Sequence, residues 1–119
     1  MEPKYFDPEA LYSLLGDDKA TILKMLENIL IGVDKKSHTL NANLAVQDWA
    51  LMKGDSHFLK SNFRYLGAKD MTAILKEIEH NSLEEGDRSV IPALVEKFYR
   101  DFPAIVEEVE QYIAYLKQQ

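Results

Sequence analysis

Apolar residues in this chain recur three and four positions apart along nearly its whole length, a spacing that puts them on one face of an α-helix and suits little else. One series runs Ile22, Met25, Leu26, Ile29, Val33, then Leu40 and Leu44. A second runs Met52, Ser56, Leu59, Phe63 and Leu66, and a third Met71, Ile74, Leu75 and Ile78. The last carries Val95, Phe98, Phe102, Val106, Val109, Ile113 and Leu116. No run alternates apolar with polar residues, and neither Asn-Gly nor Asp-Gly occurs, so no segment reads as a strand or hairpin. Four amphipathic helices joined by short connections fold most simply as an antiparallel up-down bundle, which makes the expected class all-α.

Glycine and proline punctuate these segments. Asp7-Pro8-Glu9 has the form of an N-cap, a first-position proline and a first-turn acid, opening a short extra helix that ends at Gly16 and packs across one end of the bundle. Asp17 or Asp18 caps the next helix, whose polar stretch Asp34 to Thr39 predicts a bend or fraying. Asp48 caps the third helix and Gly67 closes it. The fourth fades into Glu84-Glu85-Gly86-Asp87, a loop by composition. Ser89 is the expected cap of the last helix, with Pro92 in its first turn and Pro103 placed to kink or split it.

With 119 residues, 46% of them hydrophobic, the chain is expected to form a single domain, residues 1–119, with a core sufficient without disulfides or metal. There are no cysteines, which removes thiol nucleophiles and cysteine zinc sites. Met1 to Asp7 holds no run resembling a signal peptide, and the longest apolar run, Ile29 to Val33, is too short to cross a bilayer. A soluble, cytoplasmic, monomeric protein is the expectation. The net charge of −6 opposes binding to nucleic acid or anionic lipid, so neither is expected as a partner.

Against that acidic background, one stretch of the third helix stands out. On a helical wheel His57 falls away from the core stripe and faces water, with Lys53, Gly54, Lys60 and Ser61 one turn to either side and Arg64 two turns on. Three cations thus surround an imidazole whose two other neighbours are small. A neutral imidazole is a nucleophile at physiological pH, since histidine ordinarily titrates at about 6.5. It can attack a phosphoryl group, and adjacent lysine and arginine stabilise the charge on the phosphoryl oxygens. Glycine inside an exposed helix costs roughly 1 kcal/mol relative to alanine, which suggests that Gly54 keeps clearance for a partner. On spacing alone, an ordinary solvated helix face is the favoured reading over any functional one.

The surrounding segment is more specific. His57-Phe58-Leu59-Lys60-Ser61-Asn62-Phe63-Arg64-Tyr65-Leu66-Gly67-Ala68 resembles the signature of histidine-containing phosphotransfer (HPt) domains, H-x-L-K-G-S-S-x-x-L-G-A, with His57, Leu59, Lys60, Leu66, Gly67 and Ala68 in register. Ile78-Glu79 falls where that family often has a Leu-Glu pair, and Leu11 to Leu26 is similar to its opening segment. The resemblance implies a four-helix bundle in which His57 is phosphorylated on its outward ring nitrogen and Lys60 steadies the phosphoryl group. It also implies a phosphocarrier with no kinase activity of its own, relaying phosphate between a hybrid sensor kinase and the aspartates of response-regulator receiver domains. The chain would bind no cofactor, the receiver supplying magnesium. Ser61, Asn62 and Phe63 depart from the family's Gly-Ser-Ser; Ser61 stays small and could donate to the phosphoryl group, while Phe63 reads as core.

Lys53, Gly54, Phe58, Ser61, Arg64 and Tyr65 make the candidate partner-binding surface. For Phe58 and Tyr65, packing under another element and docking of a partner are both open readings. His38 and His80 read as surface histidines without a carboxylate or second histidine at ligand spacing, so no metal site is expected. Glu107, Glu108 and Glu110 read as the wet face of the last helix, and Trp49 as boundary packing. Two rivals remain: an adaptor that docks a receiver without chemistry, and an enzyme using His57 as acid or base. The second is disfavoured because no Asp or Glu lies one turn from His57 to orient it.

Overall fold

The architecture follows from a computed structural model that describes residues 4–119; Met1 to Pro3, part of the segment read for a signal peptide, lie outside the described residues. Five α-helices follow in order: α1 Glu9–Leu15, α2 Lys19–Ala45, α3 Trp49–Tyr65, α4 Lys69–Asn81 and α5 Ile91–Lys117, the last preceded by a 3-10 turn at Arg88–Val90. No strand occurs among the described residues. The longest dimension, 47 Å, is close to the roughly 40 Å that a 27-residue helix such as α2 or α5 spans at about 1.5 Å per residue. No helix among the described residues is long and apolar enough to cross a membrane.

The apolar stripes meet as their spacing requires. Ile22, Leu26, Ile29, Val33 and Leu40 of α2, Met52, Leu59 and Phe63 of α3, Met71, Leu75 and Ile78 of α4, and Phe98, Ile105 and Val109 of α5 are all buried in one core. Phe63, where the family pattern has serine, is fully buried and meets the rings of Phe98 and Phe102 edge-on at 6.2 and 6.1 Å. An aromatic cluster of this kind adds to the area it removes from water.

The caps are mostly those expected. Asp18 accepts from the Ala20 amide and Asp48 from the Leu51 amide. Asp7 accepts from the Glu9 amide ahead of α1, and Gly16 closes that helix at φ 77°. At the last helix Asp87, not Ser89, is the cap: its carboxylate accepts from the Ser89 amide and hydroxyl, which opens the 3-10 turn before α5. The expected interruptions do not break the helices. Pro103 lies inside a continuous α5, and α2 stays helical through Asp34 to Thr39. There the Tyr99 hydroxyl of α5 donates to the Ser37 carbonyl and accepts from the Asn41 amide. It thereby bridges two groups one helical turn apart, a tie across the bundle that no local pattern in α2 encodes.

The chain before α1 is bound to the far end of α5. Glu108 accepts from the backbone amides of Lys4, Tyr5 and Phe6 at 2.8–2.9 Å, so it is not part of a wet face as its acidic neighbourhood implied. Phe6 is buried beside the Tyr112 ring, and the Asp7 amide donates to the Leu66 carbonyl at the end of α3. That close approach explains Gly67. It has φ 66°, the Ala68 amide reaches back to the Phe63 carbonyl as in a Schellman turn, and a Cβ would stand 2.7 Å from the Asp7 Cβ and 3.0 Å from the Asp7 carbonyl oxygen. Gly67→Ala therefore combines a left-handed backbone with a clash, and should lower unfolding free energy by about 2–4 kcal/mol in urea denaturation, with His57 left in place.

Candidate phosphoacceptor site

α3 and α4 pack antiparallel, and this brings the end of α4 alongside the middle of α3. Glu79, in the last turn of α4, is placed beside His57. Its Oε2 lies 2.9 Å from His57 Nδ1, and its Oε1 lies 2.7 Å from Lys60 Nζ. One carboxylate thus joins the imidazole and the lysine that follows it by one turn. Glu79 and Lys60 are mostly covered, at 18% and 20% side-chain exposure, whereas His57 stands out at 62%.

The contact decides which ring nitrogen is available. An ionised carboxylate only accepts, so Nδ1 carries the hydrogen. In the neutral ring the lone pair is then on Nε2, and the exposure of the side chain leaves that nitrogen open to solvent. Partial burial works to raise the Glu79 carboxyl, but the contacts of Lys60 and His57 and their charges outweigh it, leaving Glu79 below the ordinary glutamate value of 4.5. The acceptor is therefore ionised at neutral pH.

Behind the imidazole, α3 is pinned to α2 by a buried carboxylate. Asp55, 4% exposed, accepts from Thr39 Oγ1 at 2.9 Å and Asn43 Nδ2 at 2.8 Å and lies 3.5 Å from Lys36 Nζ. A buried charge held by two hydrogen bonds and an ammonium resists rotation or sliding of α3, because any shift strips it of partners. The next residue, Ser56, is fully buried and satisfies its hydroxyl within the helix by donating to the Met52 carbonyl at 2.7 Å.

The remaining candidates divide by position. Lys53 and Arg64 are exposed on the same side of α3 as His57. Gly54 is exposed, and a Cβ there would meet no atom within 4 Å, so nothing in the fold itself demands glycine. The Ser61 hydroxyl donates to the His57 carbonyl at 3.2 Å, a bond within the helix in place of one aimed at a phosphoryl group. Asn62 similarly donates to the Phe58 carbonyl. Phe58 is partly exposed, and Tyr65 is partly buried with its side chain packed against the core. Trp49 also packs against the core, with the Arg88 guanidinium 5.1 Å from its ring centre. His38 does have a carboxylate one turn away, Asp34 at 3.6 Å, on an exposed stretch of α2. No group of three or more metal-ligating side chains occurs among the described residues.

Two contributors were missed. Asp55 falls beside the core stripe, three residues after Met52 and four before Leu59, but its charge and its partners on α2 are not part of any pattern along α3. Glu79 was absent as an orienting group because it is 22 residues from His57; the one signal for it was the Ile78-Glu79 pair of the family pattern.

Comparison with known proteins agrees with this architecture. The Hpt domain model matches residues 24–119, and the chain belongs to that family, whose members are phosphocarriers of phosphorelays and not kinases. Among solved structures it is similar to the histidine-containing phosphotransfer protein B of Pseudomonas aeruginosa PAO1, with a TM-score of 0.83 and 21% identity over 96% of this chain and 98% of that one. At that identity the likeness shows the shared helical fold. No curated protein matches the sequence.

The lowered Glu79 value fixes a pH dependence. A carboxyl whose folded value is depressed adds stability that is full above the unfolded value of 4.5 and is lost as pH falls through the folded one. Glu79→Gln should therefore be less stable than the wild type near pH 6, and the difference should shrink as denaturation is repeated from pH 5 down to pH 3.

Proposed function

We propose that the protein is a phosphorelay intermediate in which His57 accepts a phosphoryl group from the aspartyl phosphate of a receiver domain, or from a hybrid sensor kinase, and passes it to the aspartate of a response regulator. The observation that carries this reading is the Glu79–His57 contact, which presents Nε2 outward as a nucleophile within an exposed helix face. In transfer from a receiver, Nε2 attacks phosphorus, the N–P bond forms as the P–O bond to aspartate breaks, and the aspartate leaves as a carboxylate. Nδ1 keeps its hydrogen, so the ring gains positive charge that the Glu79 carboxylate stabilises. The reverse transfer uses the same atoms.

Lys60 is held near this ring by Glu79 Oε1, close enough in sequence to turn toward phosphoryl oxygens on the outward nitrogen. Lys53 and Arg64 add positive charge on the side from which a phosphorylated partner arrives, and favour its approach. Gly54 and the small Ser61 leave the flanks of His57 low. The chain needs no cofactor of its own for this chemistry; magnesium belongs on the receiver, where the phosphoryl group is held before and after transfer.

Incubation with phosphorylated receivers of the source genome should give acid-labile, base-stable phosphate on the wild type and none on His57→Gln; equal labelling of the two would defeat the assignment. Glu79→Gln should slow transfer by about 10- to 100-fold, the worth of one charge-assisted hydrogen bond of roughly 1.5–3 kcal/mol, as read by rapid-quench kinetics. Ser61→Leu should hinder transfer by crowding the site while circular dichroism shows the bundle intact; an unchanged rate would remove the clearance argument.

A further inference from the structure

Glycine at position 32 sits in the middle of α2, where it weakens a long helix relative to alanine. Its surroundings show what the absent side chain makes room for. A Cβ on Gly32 would stand 2.9 and 3.2 Å from the end of the Phe58 ring, inside van der Waals contact. Phe58 directly follows His57 and belongs to α3, so the ring reaches across from the helix that carries the imidazole into a notch on its neighbour. It remains 38% exposed in that position. Lys36, one turn beyond Gly32, holds its ammonium 5.8 Å from the ring centre while also pairing with Asp55.

The arrangement is a large apolar ring, half-sunk and held in one place, at the edge of an exposed nucleophile. Ring and cation are kept together by contacts to two helices. A half-exposed aromatic that is already ordered loses little conformational freedom on binding, which is the property of an anchor residue. We infer that Gly32 is a specificity-determining position: its notch sets the Phe58 ring as the apolar anchor on which a receiver domain docks beside His57. This rests on the functional reading above. The occupant follows from charge. Lys36 lies against the ring, and Lys53 and Arg64 stand on the other side of His57 from it, on a chain carrying a net charge of −6. They suit a partner whose reacting group is an aspartate and whose contact surface is acidic around an apolar centre. Gly32 touches neither the phosphoryl group nor the partner; it acts through the placement of Phe58.

The test compares two phosphoryl donors. With the phosphorylated receiver that transfers fastest to the wild type, Phe58→Ala should raise KM about tenfold, as loss of an anchoring aromatic does. Gly32→Ala should raise KM about threefold, a smaller loss because the ring is displaced and not removed. Phosphoramidate phosphorylates histidine without a docked protein, and Gly32→Ala should keep its wild-type labelling rate with that donor. Its melting temperature should not fall, since alanine favours the helix and only the outer end of the half-exposed Phe58 ring must shift. The double variant should match Phe58→Ala alone, because Gly32 has no effect once the ring is gone.

An unchanged KM in Phe58→Ala overturns the proposal, as does a Gly32→Ala penalty that persists in the double variant or appears equally with phosphoramidate. A wild type that takes phosphate from neither donor overturns the functional reading along with it. Normal wild-type transfer combined with insensitivity to both substitutions overturns this inference alone.

Discussion

The Glu79 carboxylate is the contact on which the arrangement of the site depends. It comes from α4, yet its two oxygens serve two residues of α3, the imidazole of His57 and the ammonium of Lys60. Without it the ring would turn freely on an exposed helix and both of its nitrogens would be interchangeable. With it, one nitrogen is occupied and the other is offered to solvent. The same contact restrains Lys60, whose four-carbon stem would otherwise sample many positions. Glu79 is mostly covered, so its charge acts in surroundings less screened than open water, and the cations beside it keep it ionised.

That contact holds only if α3 and α4 keep their relative register, and the rest of the bundle supplies this. Leu59, Phe63, Leu75 and Ile78 fill the space between these helices and the two long ones. Asp55 secures α3 to α2 from the side opposite Glu79's helix, through Thr39, Asn43 and Lys36. At the far end, Glu108 gathers the amides of Lys4 to Phe6, and the chain then crosses to the α3 terminus at Leu66 and Gly67. An exposed histidine needs a stiff support if it is to be presented in one orientation, and here the stiffness comes from polar contacts between helices added to an apolar core.

Lys36 connects two parts of this scheme. It pairs with the buried Asp55 and lies over the exposed Phe58 ring, so the residue that helps secure α3 also borders the surface proposed to receive a partner. Position 32 extends that connection to α2 by leaving room for the ring. The proposed chemistry of transfer thus lies at the junction of α3 with α4, and the proposed recognition of the partner at the junction of α3 with α2.

By itself the sequence determined the helical class, the ends of α1 and α3, the starts of α2 and α3, and most of the core, because apolar spacing and capping residues are local properties. It also singled out His57, with its exposure, its cations one and two turns away and the pattern running to Ala68. The reading failed where a residue's partner is distant in the chain. Glu108 looked solvated because its neighbours are acidic, but the amides it binds are about a hundred residues away. The tautomer of His57, the partners of Asp55 and the seating of Phe58 over Gly32 were decided only by tertiary structure. Each is a contact between side chains on different helices, and such contacts exist only once the bundle has set which faces meet and at what level.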